Sequence, residues 1–135
     1  MTADELRSRL TAEVLLLDGA MGTMLMAAGL EGGRAPDCWT LERPEAVAAV
    51  HRAYVEAGSD AILTNTFGSS PAQLAAAGLG GRCEEINRRA VDIARGVVGR
   101  GVLLGGDLGP CGLLLPPVGD AHRPLCAQPE RDRVA

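Results

Sequence analysis

Three short apolar runs punctuate the chain, and each ends in residues that favour turns. Val14-Leu15-Leu16-Leu17 stops at Asp18-Gly19. Asp60-Ala61-Ile62-Leu63-Thr64 stops at Asn65-Thr66-Phe67-Gly68, and Val102-Leu103-Leu104-Gly105-Gly106 stops at Asp107. Runs this short, closed by such punctuation, predict buried strands. Between them the apolar residues recur with helical period. Pro44 suits a first helical position, and Glu45 favours the N-terminal dipole end. Val47, Val50 and Tyr54 follow at helical spacing, alanines widen the stripe, and Gly58 is placed as the stop. A second long helix is predicted from Cys83 to Val98, with Ile86, Ala90, Ile93, Ala94 and Val97 on one side. Shorter helices are predicted at Asp4–Ala12, Met21–Ala28 and Pro71–Ala77, with a loop over Glu31–Thr40.

The strand starts at Val14, Asp60 and Val102 lie 46 and 42 residues apart. Strands alternating with helices at that spacing predict an α/β fold with a parallel sheet. Unbroken apolar runs are expected where strands are buried on both faces. The pattern lapses after Cys111. Pro116, Pro117, Pro124 and Pro129 interrupt that stretch and its end is polar, so loose order is expected there.

Composition narrows the function classes. A length of 135 residues fits one domain with a modest core. A net charge of −4, with Trp39, Tyr54 and Phe67 as the sole aromatics, argues against nucleic-acid binding. All 13 basic residues are Arg, which excludes a Walker P-loop and a Schiff-base lysine. The N-terminus has no basic n-region, and no apolar run exceeds five residues. No signal peptide and no membrane span are expected, and the expected location is cytoplasmic. Cys38, Cys83, Cys111 and Cys126 form no CxxC pair and are expected to be free thiols.

The candidate chemistry lies at the strand ends. In a parallel sheet all strand C-termini share one edge, where α/β folds place ligands. That brings Asp18-Gly19, Thr64-Asn65-Thr66 and Asp107 together. Asp18, when ionised, accepts from an ammonium group. Gly19, Ala20 and Met21 open a helix whose backbone N–H groups suit a carboxylate. Together they form a zwitterion clamp for an amino acid. Thr64, Asn65 and Thr66 add short-range donors and acceptors, and Asp107 adds a second negative charge. Dinucleotide binding is the rival reading. Gly19-x-x-Gly22 and Gly106-x-x-Gly109 both follow strands, but neither is G-x-G-x-x-G. His51 and His122 have no Cys or carboxylate partner at useful spacing. Met21, Met24 and Met26 read as core or rim packing, and Arg88-Arg89 as a solvated helix face.

Leu17-Asp18-Gly19-Ala20-Met21-Gly22-Thr23-Met24-Leu25 resembles the opening of the homocysteine S-methyltransferase family. The resemblance continues through Pro44, Val50-His51-Arg52-Ala53-Tyr54 and Ala57 to Gly68. It extends to Ile86-Asn87-Arg88-Arg89-Ala90-Val91 and Gly106-Asp107-Leu108-Gly109-Pro110, covering Leu6 to Gly119. It is strongest with the cobalamin-dependent methionine synthase branch of that family. The resemblance implies a (β/α)₈ TIM barrel. It also implies a zinc ion on three cysteines that activates the homocysteine thiol. The thiolate takes a methyl group from methylcobalamin or another donor, forming methionine. The positions matching the family's amino-acid clamp are Asp18, Gly19, Ala20, Met21 and Thr64, with Asn65 and Thr66 nearby.

The chain departs from the family in places. The zinc cysteines of the family stand late in the barrel, in Asn-Cys and Gly-Cys-Cys contexts, and neither is present. None of the four cysteines matches those positions, so no metal ligand is assigned. The acidic contact after the fourth strand is missing, and Cys111 replaces the Thr of Gly-Pro-Thr-Gly. A barrel needs about 200 residues or more. The expectation is therefore the first three or so β-α units of an incomplete barrel. Residues 1–119 form the partial homocysteine-binding domain, and 120–135 form a divergent, disordered tail left by a change of reading frame. On this reading the chain is a fragment of a homocysteine S-methyltransferase that keeps part of the clamp. The alternative is a non-catalytic assembly module that needs a partner, or self-association, to complete the barrel.

Overall fold

The computed structural model describes residues 2–111. The expected domain boundary at 119/120, the tail, His122 and Cys126 lie outside the described residues. The chain begins with α1 (Ala3–Ala12), closed by a reciprocal cap. Thr2 Oγ1 accepts from the Glu5 N–H at 3.2 Å, and Glu5 Oε2 accepts from the Thr2 N–H at 2.6 Å. Helix α2 (Met21–Ala27) follows, then a 3₁₀ turn at Pro36–Cys38 and α3 (Trp39–Glu42). The long α4 (Pro44–Glu56) leads into β1 (Ala61–Leu63). After α5 (Pro71–Ala76) and a second 3₁₀ turn at Gly80–Arg82 come α6 (Cys83–Arg95) and β2 (Leu103–Gly105).

The expected loop over Glu31–Thr40 is thus partly helical. Local periodicity gave no sign of this, because its order comes from burial. Cys38 and Trp39 are 5% and 3% exposed, and they draw the segment into the core.

The strands are shorter than expected. The run Val14–Leu17 makes a single parallel bridge, Leu17 to Ala61, rather than a strand. The reason is visible at Leu16, whose N–H donates to the Asp60 side chain at 2.9 Å. Its carbonyl accepts from the N–H groups of Asp60 and Ala61, and the Asp18 N–H donates to the Ala61 carbonyl. So the run joins the sheet only at its end. β1 and β2 pair in parallel with Ala61 opposite Leu103 and Leu63 opposite Gly105. Parallel neighbours need crossovers, which α4 and α6 supply in the two intervals.

The core sits between the sheet and these helices. Leu25, Leu30, Trp39, Val47, Val50 and Ile93 form one buried cluster. Ile62, in the middle of β1, is fully buried, as are Ile86 and Ala90 of α6. The opposite face differs from the expectation of burial on both sides. Leu17 is 56% exposed, and Leu63 and Leu103 are half-buried. With Leu6 and Leu10 of α1 they line an open groove of about 600 Å³. Among the described residues only α1 approaches this face, so the apolar run is covered on one side alone.

Candidate functional site

The strand ends meet as topology requires. One cavity of about 550 Å³ opens at the C-terminal edge of the sheet. Asp18, Gly19, Ala20 and Met21 line it from the first crossover, Thr64, Asn65 and Thr66 from the end of β1, and Asp107 from the end of β2. All eight residues expected from sequence are therefore in one place.

Their roles divide. Asp18 Oδ2 accepts from the Leu63 N–H at 3.0 Å, which ties the first crossover to β1. Burial pushes the Asp18 carboxyl above its ordinary range. The Leu63 N–H pulls it down, and the charge of Asp107 pushes it up again. A carboxylate raised in this way favours an arriving cation, which opposes both the burial and the repulsion.

The three polar residues after β1 are buried, at 4%, 5% and 6% exposure. They line the cavity, but their side-chain donors are engaged with protein. Asn65 Nδ2 donates to the Pro36 carbonyl at 3.0 Å and to Thr40 Oγ1 at 3.2 Å. Thr66 Oγ1 donates to the Asp107 carbonyl at 2.7 Å, and the Asp107 N–H donates to Thr64 Oγ1 at 3.1 Å. The expectation that they supply donors to a ligand is corrected for the Asn65 amide and the Thr66 hydroxyl, whose protons are committed.

Two residues that the sequence left unassigned bear on the site, Asp37 in the cavity lining and Tyr54 through the backbone of Ala20. Asp37 is 3% exposed, lines the cavity and accepts from Ser69 Oγ at 2.5 Å. Nothing in its local sequence marks it, because its partner is 32 residues away. Tyr54, read as a core residue, reaches over with its hydroxyl and donates to the Ala20 carbonyl at 3.1 Å. The signal for it is general, since a partly buried tyrosine ring seeks a partner for its hydroxyl. Two glycines are fixed by these contacts. A Cβ on Gly19 would stand 2.9 Å from the Tyr54 hydroxyl, and one on Gly68 would stand 2.7 Å from Asp37 Oδ2.

The cavity lining holds three carboxylates, Asp18, Asp37 and Asp107, and no basic side chain among the described residues. No group of three or more His, Cys, Asp or Glu residues among them could hold a metal. Cys38, Cys83 and Cys111 are free thiols. Burial pushes the Cys38 thiol up, so it stays protonated at neutral pH. The Cys83 thiol donates to the Ser69 carbonyl at 3.2 Å. These residues do not fit a three-cysteine zinc site.

The family model for homocysteine S-methyltransferase matches residues 15–131. The chain belongs to the homocysteine S-methyltransferase family. It is 38% identical over 96 residues to a methionine synthase of Mycobacterium tuberculosis (strain ATCC 25618 / H37Rv), covering 65% of this chain and 8% of that protein. It is 33% identical over 117 residues to a homocysteine S-methyltransferase of Escherichia coli (strain K12), covering 76% and 37%. The metallated form of the homocysteine methyltransferase MmuM from Escherichia coli superposes with a TM-score of 0.67 at 30% identity. That match covers 78% of this chain and 41% of the other. This family member therefore spans well under half the length of these relatives. No helix among its described residues is long and apolar enough to cross a membrane.

Proposed function

We propose that this chain carries the amino-acid clamp of a homocysteine S-methyltransferase, as the first three β-α units of a (β/α)₈ barrel. The observation that carries the reading is the Asp18 carboxylate, held by the Leu63 N–H in a cavity lined by three acids and no base. Such a site takes an ammonium group. Asp18 and Asp107 receive the amino group of homocysteine, and backbone N–H groups at Gly19, Ala20 and Met21 receive its carboxylate. These residues hold the substrate by the two groups common to all amino acids. Zinc-assisted thiol activation and methyl donation from methylcobalamin or another donor are assigned to residues outside this chain. The cysteines among the described residues, Cys38, Cys83 and Cys111, offer no ligand set. A cytoplasmic location accords with the reading.

Calorimetric titration of the chain with L-homocysteine tests the proposal. Binding is expected, and Asp18→Asn should weaken it about tenfold or more, since hydrogen bonds to charged groups contribute roughly 1.5–3 kcal/mol. Equal binding of 4-mercaptobutanoate, which lacks the amino group, would overturn it.

The open leucine face supports a second reading, that the chain docks on whatever completes its sheet, a partner or another copy. A stable monomer in size-exclusion chromatography across a hundredfold range of concentration would count against this one.

A further inference from the structure

The hydroxyls of Thr64 and Thr66 have a definite proton order. Thr66 Oγ1 lies 2.7 Å from the Asp107 carbonyl, which only accepts, so the Thr66 proton points there. The Thr64 and Thr66 hydroxyl oxygens are 2.7 Å apart, and Thr64 must donate across that contact. Thr64 Oγ1 in turn accepts from the Asp107 N–H. The result is a closed ring that leaves the backbone of Asp107 by its N–H and returns to its carbonyl. Each member is a donor to the next, an arrangement in which hydrogen bonds polarise one another. Both threonines are buried, and β-branching holds their side chains to few rotamers. Nothing in β2 itself fixes this residue, because the strand ends at Gly105.

We propose that Thr64 and Thr66 are positioning residues that clamp the backbone of Asp107 and so hold its carboxylate beside Asp18 as the second half of an ammonium site. The proposal rests on the amino-acid reading of the cavity for its ligand, but not for the ring itself. It assigns these threonines a role through Asp107 rather than direct contact with substrate. It also makes Asp107 a specificity determinant: a single carboxylate holds an amine, whereas a fixed pair disfavours any ligand that lacks a positive charge.

The experiment follows the carboxyl carbons of Asp18 and Asp107 by NMR through a pH titration of the whole chain, without ligand. In the parent, the Asp18 carboxyl should titrate above its ordinary range. Thr66→Val should lower it, as should Asp107→Asn, and the double variant should fall no further than Asp107→Asn alone. Thr66→Ser keeps the hydroxyl and should restore the parent curve. An Asp18 curve unchanged in Thr66→Val, or a further fall in the double variant, would overturn the proposal. Should Thr66→Val not fold, hydrogen exchange in the parent decides. The Asp107 amide should be protected, and exchange at the rate of an open chain would overturn the ring. L-homocysteine titrated into the same proteins separates the two readings. Loss of about tenfold in affinity for Thr66→Val, rescued by Thr66→Ser, supports both. An intact ring in a parent that ignores homocysteine sinks the ligand and leaves the ring standing, while binding that Thr66→Val leaves intact sinks the positioning role.

Discussion

The two faces of the small parallel sheet are made from the same kinds of residue and end in opposite states. Ile62 faces the helices and is completely buried, while Leu17, bridged to its neighbour Ala61, faces the other way and is 56% exposed. Apolar character in a strand therefore states what a residue needs, not what it receives. The helix-facing side is finished because α4 and α6 follow in the same stretch of chain. The inner side of a parallel sheet is covered only by further strands curling round, or by a second layer.

This difference can be broken by substitution. The largest effect is expected on the finished side, where Ile62→Ala should cost about 4 kcal/mol in urea denaturation through lost transfer energy and a cavity. A cost under about 1 kcal/mol there would mean that the core is loose. Next comes His51, fully buried on α4 with neither ring nitrogen hydrogen-bonded to protein. Burial lowers its pKa from 6.5 to about 4. Above pH 7 the ring is neutral in both folded and unfolded chains, and stability is at its full value. As pH falls from 6.5 towards 4 the unfolded chain takes the proton first, and up to about 3 kcal/mol is lost. His51→Leu should flatten this acid limb in thermal melts, and an unchanged limb would place the sensitivity elsewhere. Ser69→Ala comes third, at about 2 kcal/mol, because it removes a donor from the buried Asp37 carboxylate. The smallest effect belongs to the open side. Leu17→Ser should cost roughly 0.5 kcal/mol, since the side chain is already half in water. A cost matching that of Ile62→Ala would show that the inner face is covered in solution, and would remove the contrast.

Much of this architecture was legible in the sequence. Pro44 at the first position and Gly58 as the stop located α4, and Gly58 takes a φ of +97°, where glycine is favoured. Helix α6 starts at Cys83 as expected but ends at Arg95, three residues short of the expected Val98. That these eight residues would share one cavity was legible because punctuation after an apolar run marks a strand end, and strand ends converge. Their division of labour was not legible. That Thr66 serves Asp107, or Asn65 the Pro36 carbonyl, depends on partners 41 and 29 residues distant, which spacing does not reveal. The weak first strand escaped for a related reason. Val14 to Leu17 has a good strand composition, but the Asp60 side chain takes the Leu16 N–H.

The bonds that shape the cavity join residues 41, 43 and 45 positions apart. The site is consequently a late product of synthesis. At roughly ten residues per second, Asp18 leaves the ribosome about nine seconds before Asp107. For the first half of that interval the leucines before Asp18 have no β1 to meet, and until its end the ring around Asp107 has no centre. Local helices such as α4 can settle as they emerge, whereas the clamp waits for the last of its three strand ends.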